Sequence, residues 1–84
     1  MRTDGNTCDL RGLRLEEAIA NSERYCDRML LQGHDAVFLL HGHGTGILKA
    51  GMREWARCSA QVHRYRPGER DEGGDAFTLI YLVP

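Results

Sequence analysis

The feature that most constrains this chain is a continuously apolar run, Ala36–Leu40, that passes directly into the glycine-rich segment HGHGTG at residues 41–46. A strand that is apolar on both sides is usually buried on both faces, as in parallel sheets. Glycines allow positive φ angles and let a backbone approach a ligand closely. Helical spacing follows from about Gly46 to Cys58. The segment therefore predicts a buried strand, a tight loop and the N-terminus of a helix.

The hydrophobic spacing elsewhere predicts the remaining elements. Residues 7–11 alternate between polar and apolar, which predicts a first strand. Residues 15–30 follow helical spacing and stop near Gly33, which predicts an amphipathic helix of about 18 residues. Residues 61–66 and 76–82 read as two further strands, separated by a turn-rich loop. The order βαβαββ calls for one sheet with two helices packed on it.

The chain has 84 residues, which predicts one folded domain at residues 7–84 after a linker or disordered segment at residues 1–6. A composition of 42% hydrophobic and 27% charged residues is ordinary for a soluble globular domain. No segment approaches the ~20 apolar residues of a membrane helix, so we expect no membrane partner. Three widely spaced cysteines are not a disulfide framework, and they favour a reducing, cytoplasmic location.

The charge distribution matters more than the net charge of −1. Residues 43–70 carry six basic and two acidic side chains, and Lys49, Arg53 and Arg57 are spaced to form one stripe along the second helix. A near-neutral total can hide a basic face that meets a polyanion. The alternative is a pair of ordinary solvated helix surfaces.

The first βαβ unit brings distant polar residues together. Two strands joined by one helical crossover should be parallel, so their carboxyl ends lie at the same edge of the sheet. That edge is where open α/β sheets bind ligands. We therefore expect Asp9 and Arg11, which share a face of the first strand, to lie close to His41 at the end of the second.

The glycine loop and the following helix N-terminus predict an anion site, because free amides and a partial positive charge meet there. The loop is neither a Walker loop nor G-x-G-x-x-G, since Ile47 stands where the last glycine would be. A tight structural turn is the alternative. If a nucleic acid binds, the candidate contacts are Gly42, His43, Gly44, Thr45 and Gly46 in the loop, with Lys49, Arg53 and Arg64 along the neighbouring backbone.

Metal binding is only weakly indicated. His41 and His43 lack the two further, closely spaced ligands of a structural zinc site. A Mg²⁺ or Mn²⁺ ion held by Asp9 and phosphate oxygens is compatible with hard-cation chemistry, but one carboxylate is weak support for it.

Three segments together resemble one family. CDLRGLRLEEA at residues 8–18 resembles the opening LDLxG…EA motif of the Smr (small MutS-related) domain. HGHGTGILK at residues 41–49 resembles its HGxGxG motif and basic helix, and EGGDAFTLIYL at residues 72–82 resembles its closing GG-x-G-x-T strand. RPGE at residues 66–69 makes the chain most similar to the Smr domain at the C-terminus of a bacterial MutS-like protein that is not the mismatch-repair one.

The resemblance implies an α/β two-layer sandwich, with a mixed four-stranded sheet and two helices on one face. It implies binding of DNA or RNA, and in many members an endonuclease activity; other members act in ribosome rescue or in suppressing recombination. Such a domain stands alone or ends a larger, ATPase-containing chain. The residues carried over are Asp9, Arg11, His41, Gly42, Gly44 and Gly46.

Arg11 departs from the family pattern, since many members have histidine there. Arginine stays protonated and cannot be a general base, but it binds phosphate bidentately. The leading hypothesis is an endonuclease in which Arg11 stabilises the transition state, His41 transfers a proton, and Asp9 orients either residue or seats a metal ion. The alternatives are a non-catalytic module that docks a larger protein on ribosomes or branched DNA, and a small-molecule phosphate site, which the basic stripe disfavours.

Overall fold

The computed structural model describes residues 2–84 and contains a four-stranded sheet with two helices. The strands are β1 (Thr7–Asp9), β2 (Ala36–Leu40), β3 (Val62–Pro67) and β4 (Phe77–Leu82), and the helices are α1 (Leu15–Leu31) and α2 (Ile47–Cys58). The strand order is β1-β2-β4-β3. β1 and β2 are parallel, and β4 is antiparallel to both of its neighbours. The predicted βαβαββ order and the mixed sheet are confirmed.

The first strand is shorter than predicted. β1 ends at Asp9, although the amide of Leu10 still donates to the Leu40 carbonyl at 2.8 Å. Gly12 then adopts a φ of +82°, which turns the chain towards α1. The turn keeps Arg11 at the carboxyl end of the strand and leaves Leu10 fully buried beneath it.

Helix α1 begins and ends where its sequence provides caps. The Glu17 side chain accepts a hydrogen bond from the Arg14 amide at 3.0 Å, which satisfies one unpaired amide at the helix start. Gly33 has a φ of +89° and ends the helix. The buried positions Ala18, Ser22, Cys26 and Met29 follow helical spacing and face the sheet.

The two helices approach each other closely at Gly51 of α2. A Cβ atom at this position would lie 2.5 Å from Leu15 Cδ1, so only glycine fits without moving the α1 side chain. Met52 and Ala56 of α2 are buried in the same core as Val37 and Leu39 of β2. Both helices therefore pack on one face of the sheet, as expected.

The opposite face of the sheet is also apolar, and it is partly covered. Phe38, Phe77 and Leu79 are buried in a second cluster. The ring of Phe77 packs against Gly73 of the loop before β4, and the Arg2 guanidinium lies 4.3 Å from the ring centroid. The N-terminal segment and this loop therefore cover the end of the face that is nearest to Phe77.

Part of the predicted N-terminal linker is structured. Asp4–Asn6 form one 3₁₀ turn, and the Tyr25 hydroxyl donates to the Gly5 carbonyl at 3.1 Å. Met1 lies outside the described residues, and the domain boundary at residue 7 stays a prediction. Neither helix within residues 2–84 is long and apolar enough to cross a membrane.

Candidate functional site

The carboxyl ends of β1 and β2 meet at one edge of the sheet, as their parallel arrangement predicts. Asp9 pairs with Leu40 in the register of the two strands. A Cβ atom at Gly42 would lie 3.5 Å from Arg11 Cγ, and Gly42 itself has a φ of +77°. The Arg11 side chain therefore lies against the glycine loop. Asp9, Arg11 and the loop form one continuous surface, which we call the sheet-edge site.

Asp9 and Arg11 form a bidentate ion pair within this site. Arg11 Nε donates to Asp9 Oδ1 at 3.0 Å and Nη2 donates to Oδ2 at 2.8 Å. The hydrogen bonds from Arg11 hold the pKa of Asp9 below its usual value, so the carboxylate stays ionised. The side chains of Arg11 and Asp9 are 61% and 52% exposed. Because Nη1 has no acceptor among residues 2–84, an oriented guanidinium presents free donors to solvent.

The glycine loop gets its shape from three glycines with positive φ angles, Gly42, Gly44 and Gly46. Residues with a side chain rarely adopt these angles. The amides of His41 and Gly42 both donate to the Ala76 carbonyl, at 3.1 and 3.0 Å, so they are not available to a ligand. The Gly42 amide is thus engaged within the protein, and the φ of +77° is what favours glycine at this position; the prediction that Gly42 contacts a phosphate stays a prediction.

The start of α2 has free amides beside the loop. The first bond closing on the helix runs from the Ala50 amide to the Gly46 carbonyl at 2.9 Å. Leu48 and Lys49 precede that bond, and their amides have no acceptor among residues 2–84. Thr45 Oγ1 is 3.4 Å from the Ile47 amide, which is a long hydrogen bond. The donors available near the loop are therefore helix amides and the Arg11 guanidinium, and binding of an anion there stays a prediction.

His41 is buried, with only 5% of its surface exposed, and both of its ring nitrogens are bonded within the protein. Nδ1 lies 2.9 Å from the Gly42 carbonyl, which can only accept, so Nδ1 carries the proton. Nε2 lies 2.8 Å from Thr78 Oγ1, whose oxygen also accepts from Arg53 Nε at 2.8 Å. The neutral ring thus accepts the Thr78 hydroxyl proton.

The surroundings of His41 keep the imidazole neutral. Burial lowers the pKa of His41, and the nearby Arg53 and Lys49 charges lower it further. The predicted proton transfer by His41 stays a prediction. It requires that a substrate displace either the Gly42 carbonyl or the Thr78 hydroxyl from a ring nitrogen.

Asp75 forms ion pairs with both Lys49 and Arg53, which were expected to contact a nucleic-acid backbone. Lys49 Nζ lies 2.6 Å from Asp75 Oδ2, and Arg53 Nη2 lies 2.9 Å from Oδ1. These bonds lower the pKa of Asp75 to about 2. The Lys49 and Arg53 side chains are only 24% and 20% exposed. The sequence analysis did not identify Asp75 as a site residue, because it lies in the closing segment at residues 72–82, far from α2 along the chain.

The three cations of the predicted basic stripe are therefore all paired, but with two carboxylates, so one positive charge is left uncompensated. Lys49 and Arg53 share Asp75, and the third member, Arg57, pairs with Glu54 one turn earlier on α2. Of this stripe, Lys49 is the member nearest the loop.

The structure does not bring Arg64 to the sheet-edge site. A register shift between Val62 and Arg64 places Val62 against the core and Arg64 on the opposite face of the sheet. The Arg64 guanidinium lies 4.0 Å from the centroid of the Tyr81 ring. Tyr81 pairs with Ala36, at the start of β2, whereas the loop follows the end of β2.

The donor set at the site does not suit a divalent metal ion. Both Asp9 carboxylate oxygens accept hydrogen bonds from Arg11, so neither is free to bind a cation without breaking the ion pair. Within residues 2–84 no three His, Cys, Asp or Glu side chains are grouped to hold a metal. The predicted role of Asp9 as a Mg²⁺ or Mn²⁺ ligand therefore lacks support from its own contacts.

Comparison with known proteins assigns a family to this arrangement. The Smr domain family model matches residues 8–83. The chain is 46% identical over 74 residues to "Endonuclease MutS2" of Anaeromyxobacter sp., covering 88% of this chain and 9% of that protein. It is 44% identical over 77 residues to the protein of the same name from Clostridioides difficile, covering 92% and 10% respectively. The chain thus spans about a tenth of the length of these relatives.

Solved structures show the same fold. The crystal structure of the Smr domain of Thermus thermophilus MutS2 matches with a TM-score of 0.88 at 33% identity, covering 94% of this chain and 99% of that one. YdaL, a stand-alone small MutS-related protein from Escherichia coli, matches with a TM-score of 0.86 at 18% identity, covering 98% and 67%; at this identity the match shows the fold alone. The family match over residues 8–83 and the shared fold show that this chain belongs to the Smr domain family.

Proposed function

We propose that this domain binds DNA or RNA at the sheet-edge site and cleaves a phosphodiester bond there. The observation that carries the proposal is the exposed Arg11 guanidinium, which Asp9 orients and whose side chain lies against Gly42 of the glycine loop. A phosphodiester is an anion with several acceptor oxygens, and such a cluster of donors suits it. Relatives named "Endonuclease MutS2" support the reaction class.

Arg11 is the proposed catalytic residue. Water, or in RNA the adjacent 2′-hydroxyl, would form the new bond to phosphorus as the bond to the leaving ribose oxygen breaks, with the nucleophile's proton passing to solvent and a proton from solvent going to the leaving oxygen. The free Nη1 donor of Arg11 would contact a non-bridging phosphate oxygen and stabilise the charge that develops there in the transition state. Asp9 is a positioning residue, because its two oxygens fix the plane of the guanidinium. The amides of Gly44, Thr45, Leu48 and Lys49 are the proposed contacts to the same phosphate, and the exposed His43 is the proposed contact to its neighbour.

His41 is proposed here as a positioning residue rather than a direct proton donor. Its Nδ1 proton is bonded to the Gly42 carbonyl, and Gly42 is the residue against which Arg11 packs. The Thr78 hydroxyl and Arg53 hold the other side of the ring. The hydrogen bonds of His41 thereby fix the position of the glycine loop relative to Arg11.

The substrate is proposed to be selected by backbone shape rather than by base sequence. The donors at the site are amides and a guanidinium that suit phosphates, and phosphate contacts position a nucleic acid without reading it. We therefore expect binding to weaken steeply with added salt. A cytoplasmic setting, contact with ribosomes and membership of a longer, ATPase-containing chain are proposals that rest on the family resemblance.

The proposal is tested by cleavage of end-labelled DNA and RNA by the purified chain. We expect Arg11→Ala to slow single-turnover cleavage by about 10²-fold, with Arg11→Lys intermediate because lysine lacks the planar fork. Arg24→Ala is the matched control, since Arg24 is an exposed arginine on α1 whose side chain bonds only Asn21 within residues 2–84. Equal cleavage by Arg11→Ala and the wild-type chain would contradict the proposal.

The second candidate is a non-catalytic docking module. It is favoured by the engagement of both His41 nitrogens, which leaves no unbonded imidazole nitrogen at this residue for acid–base chemistry. The two candidates are separated with an Arg11→Ala/His41→Gln double variant purified in parallel. Cleavage that persists in the double variant comes from a contaminating nuclease and supports the docking module.

A further inference from the structure

The face of the sheet opposite the helices carries a row of arginines on aromatic and apolar side chains. Arg64 and Arg66 lie on the same side of β3, beside Tyr81 and Leu79 of β4. Arg2 lies over Phe77, the next residue on that side of β4. We call Arg2, Arg64, Arg66 and Tyr81 the arginine face.

The Tyr81 ring is held in place from two sides. Arg66 Nε donates to the Tyr81 hydroxyl at 3.4 Å, and Arg66 is itself fixed by Glu72, with Nη1–Oε1 at 2.8 Å and Nη2–Oε2 at 3.1 Å. The Arg64 guanidinium carbon lies over the ring, 4.0 Å from its centroid. Arg66 and Glu72 therefore support the platform on which Arg64 rests, and they cancel each other's charge.

Arg64 differs from the basic residues of the predicted stripe in having no acidic partner. It is exposed and makes no hydrogen bond or ion pair within residues 2–84. Arg2 likewise has no carboxylate partner there, since its Nε donates to the Glu72 carbonyl at 2.9 Å. The arginine face therefore has two uncompensated positive charges, whereas Lys49, Arg53 and Arg57 are all paired.

We propose that the arginine face is a second binding surface, which takes single-stranded nucleic acid through a base stacked on Arg64 and phosphates paired with Arg64 and Arg2. A guanidinium held flat on an aromatic ring presents its other face for stacking and its edge donors for phosphate. Unpaired bases stack on such platforms, whereas bases within a duplex have no free face. An acidic protein segment would use the charge but not the stacking.

This inference rests on the proposed nucleic-acid substrate, but it concerns a different surface. The sheet-edge site lies at the carboxyl end of β2, and Arg64 lies at the level of Ala36, at the amino end of β2. A strand bound at both places would pass over the end of the sheet, so the arginine face would hold substrate on one side of the cleavage position.

The test measures fluorescence anisotropy of labelled single-stranded DNA and RNA of about 12 nucleotides. We expect Arg64→Ala to weaken binding about tenfold and Arg64→Lys about threefold, because lysine keeps the charge without the stacking surface. Tyr81→Leu should weaken binding about fivefold, and Tyr81→Phe, which keeps the ring, less than about twofold. The control Arg24→Ala should also change binding less than about twofold. Thermal melts of each variant identify loss of folding.

The outcomes separate this inference from the proposed cleavage. Wild-type cleavage combined with unchanged binding by both Arg64→Ala and Arg64→Lys overturns the arginine face alone. Binding that depends on Arg64 without any cleavage supports the arginine face and contradicts the endonuclease proposal. Competition by poly-glutamate as strong as that by an unlabelled oligonucleotide overturns the inference in favour of an acidic protein partner. Absence of all nucleic-acid binding overturns both.

Discussion

His41 Nε2 lies 2.8 Å from Thr78 Oγ1, and this buried hydrogen bond joins the end of β2 to the second residue of β4. Arg53 Nε donates to the same hydroxyl, so one threonine connects α2 and the glycine loop. Removal of the hydroxyl would leave His41 Nε2 and Arg53 Nε without this partner in a largely buried environment.

Thr78→Val should therefore destabilise the domain although it keeps the shape of the side chain. We expect a loss of about 1–3 kcal/mol in the free energy of unfolding, measured by urea denaturation. Thr78→Ser retains the hydroxyl and should lose less than Thr78→Val. Equal stabilities for Thr78→Val and the wild-type chain would show that the hydrogen bonds to Thr78 do not support the fold.

The neutral state of His41 predicts how stability depends on pH. Burial lowers the pKa of His41 in the folded chain below its usual value of 6.5. Below about pH 6.5 the unfolded chain therefore binds a proton that the folded chain does not, and this lowers the stability as the pH falls. Urea denaturation between about pH 7 and 5 should show this loss, and His41→Gln should reduce it. An imidazole NMR titration in which His41 protonates above pH 6.5 would contradict the assignment.

The Asp75 carboxylate should restrain nucleic-acid binding, because it occupies Lys49 and Arg53. We expect Asp75→Asn to tighten binding by several-fold and to steepen its salt dependence, since two cations become available to phosphates. Glu54→Gln changes the net charge equally and frees Arg57 in the second half of α2, so it serves as the control. If both variants bind equally tightly, the effect comes from net charge and not from this site.

Ser22 is a buried residue whose side-chain hydroxyl has no hydrogen-bond partner in the described part of the chain. Its hydroxyl lies in the core face of α1, and no acceptor or donor within residues 2–84 reaches it. Ser22→Ala removes an unsatisfied polar group and improves helix propensity, so we expect it to stabilise the domain by about 1 kcal/mol. A thermal melt should show a midpoint about 4–8 °C higher. A lower midpoint would show that the hydroxyl has a partner or that the methyl group leaves a void.

The sequence was sufficient for the order of elements and for the meeting of distant residues at one edge. The apolar run of β2 and the single crossover through α1 require parallel strands, and this requirement brings Asp9 and Arg11 to the glycine loop. The pairing of Arg11 with Asp9 follows from their separation of two residues at the turn after β1, where the Arg11 amide also donates to Asp9 Oδ1.

Contacts that depend on the position of β4 between β2 and β3 could not be predicted from the sequence. Asp75 reaches Lys49 and Arg53 because β4 lies between β2 and β3, and nothing near Asp75 in sequence indicates that position. The face of the sheet on which Arg64 lies could not be predicted either, because simple alternation places Val62 and Arg64 on the same face. The register shift between them moves Arg64 to the other.

The position at which an uncleaved nucleic acid binds is the most direct test of the sheet-edge site. Amide and arginine side-chain NMR spectra should be recorded while an oligonucleotide with a non-cleavable backbone is added. We expect the largest shifts at the Arg11 side chain and at the amides of Gly44, Thr45, Leu48 and Lys49, with the His41 and Gly42 amides shifting less because both are bonded to Ala76. Saturable binding that leaves the Arg11 and loop signals unchanged would contradict the sheet-edge site as the place where the phosphodiester is held.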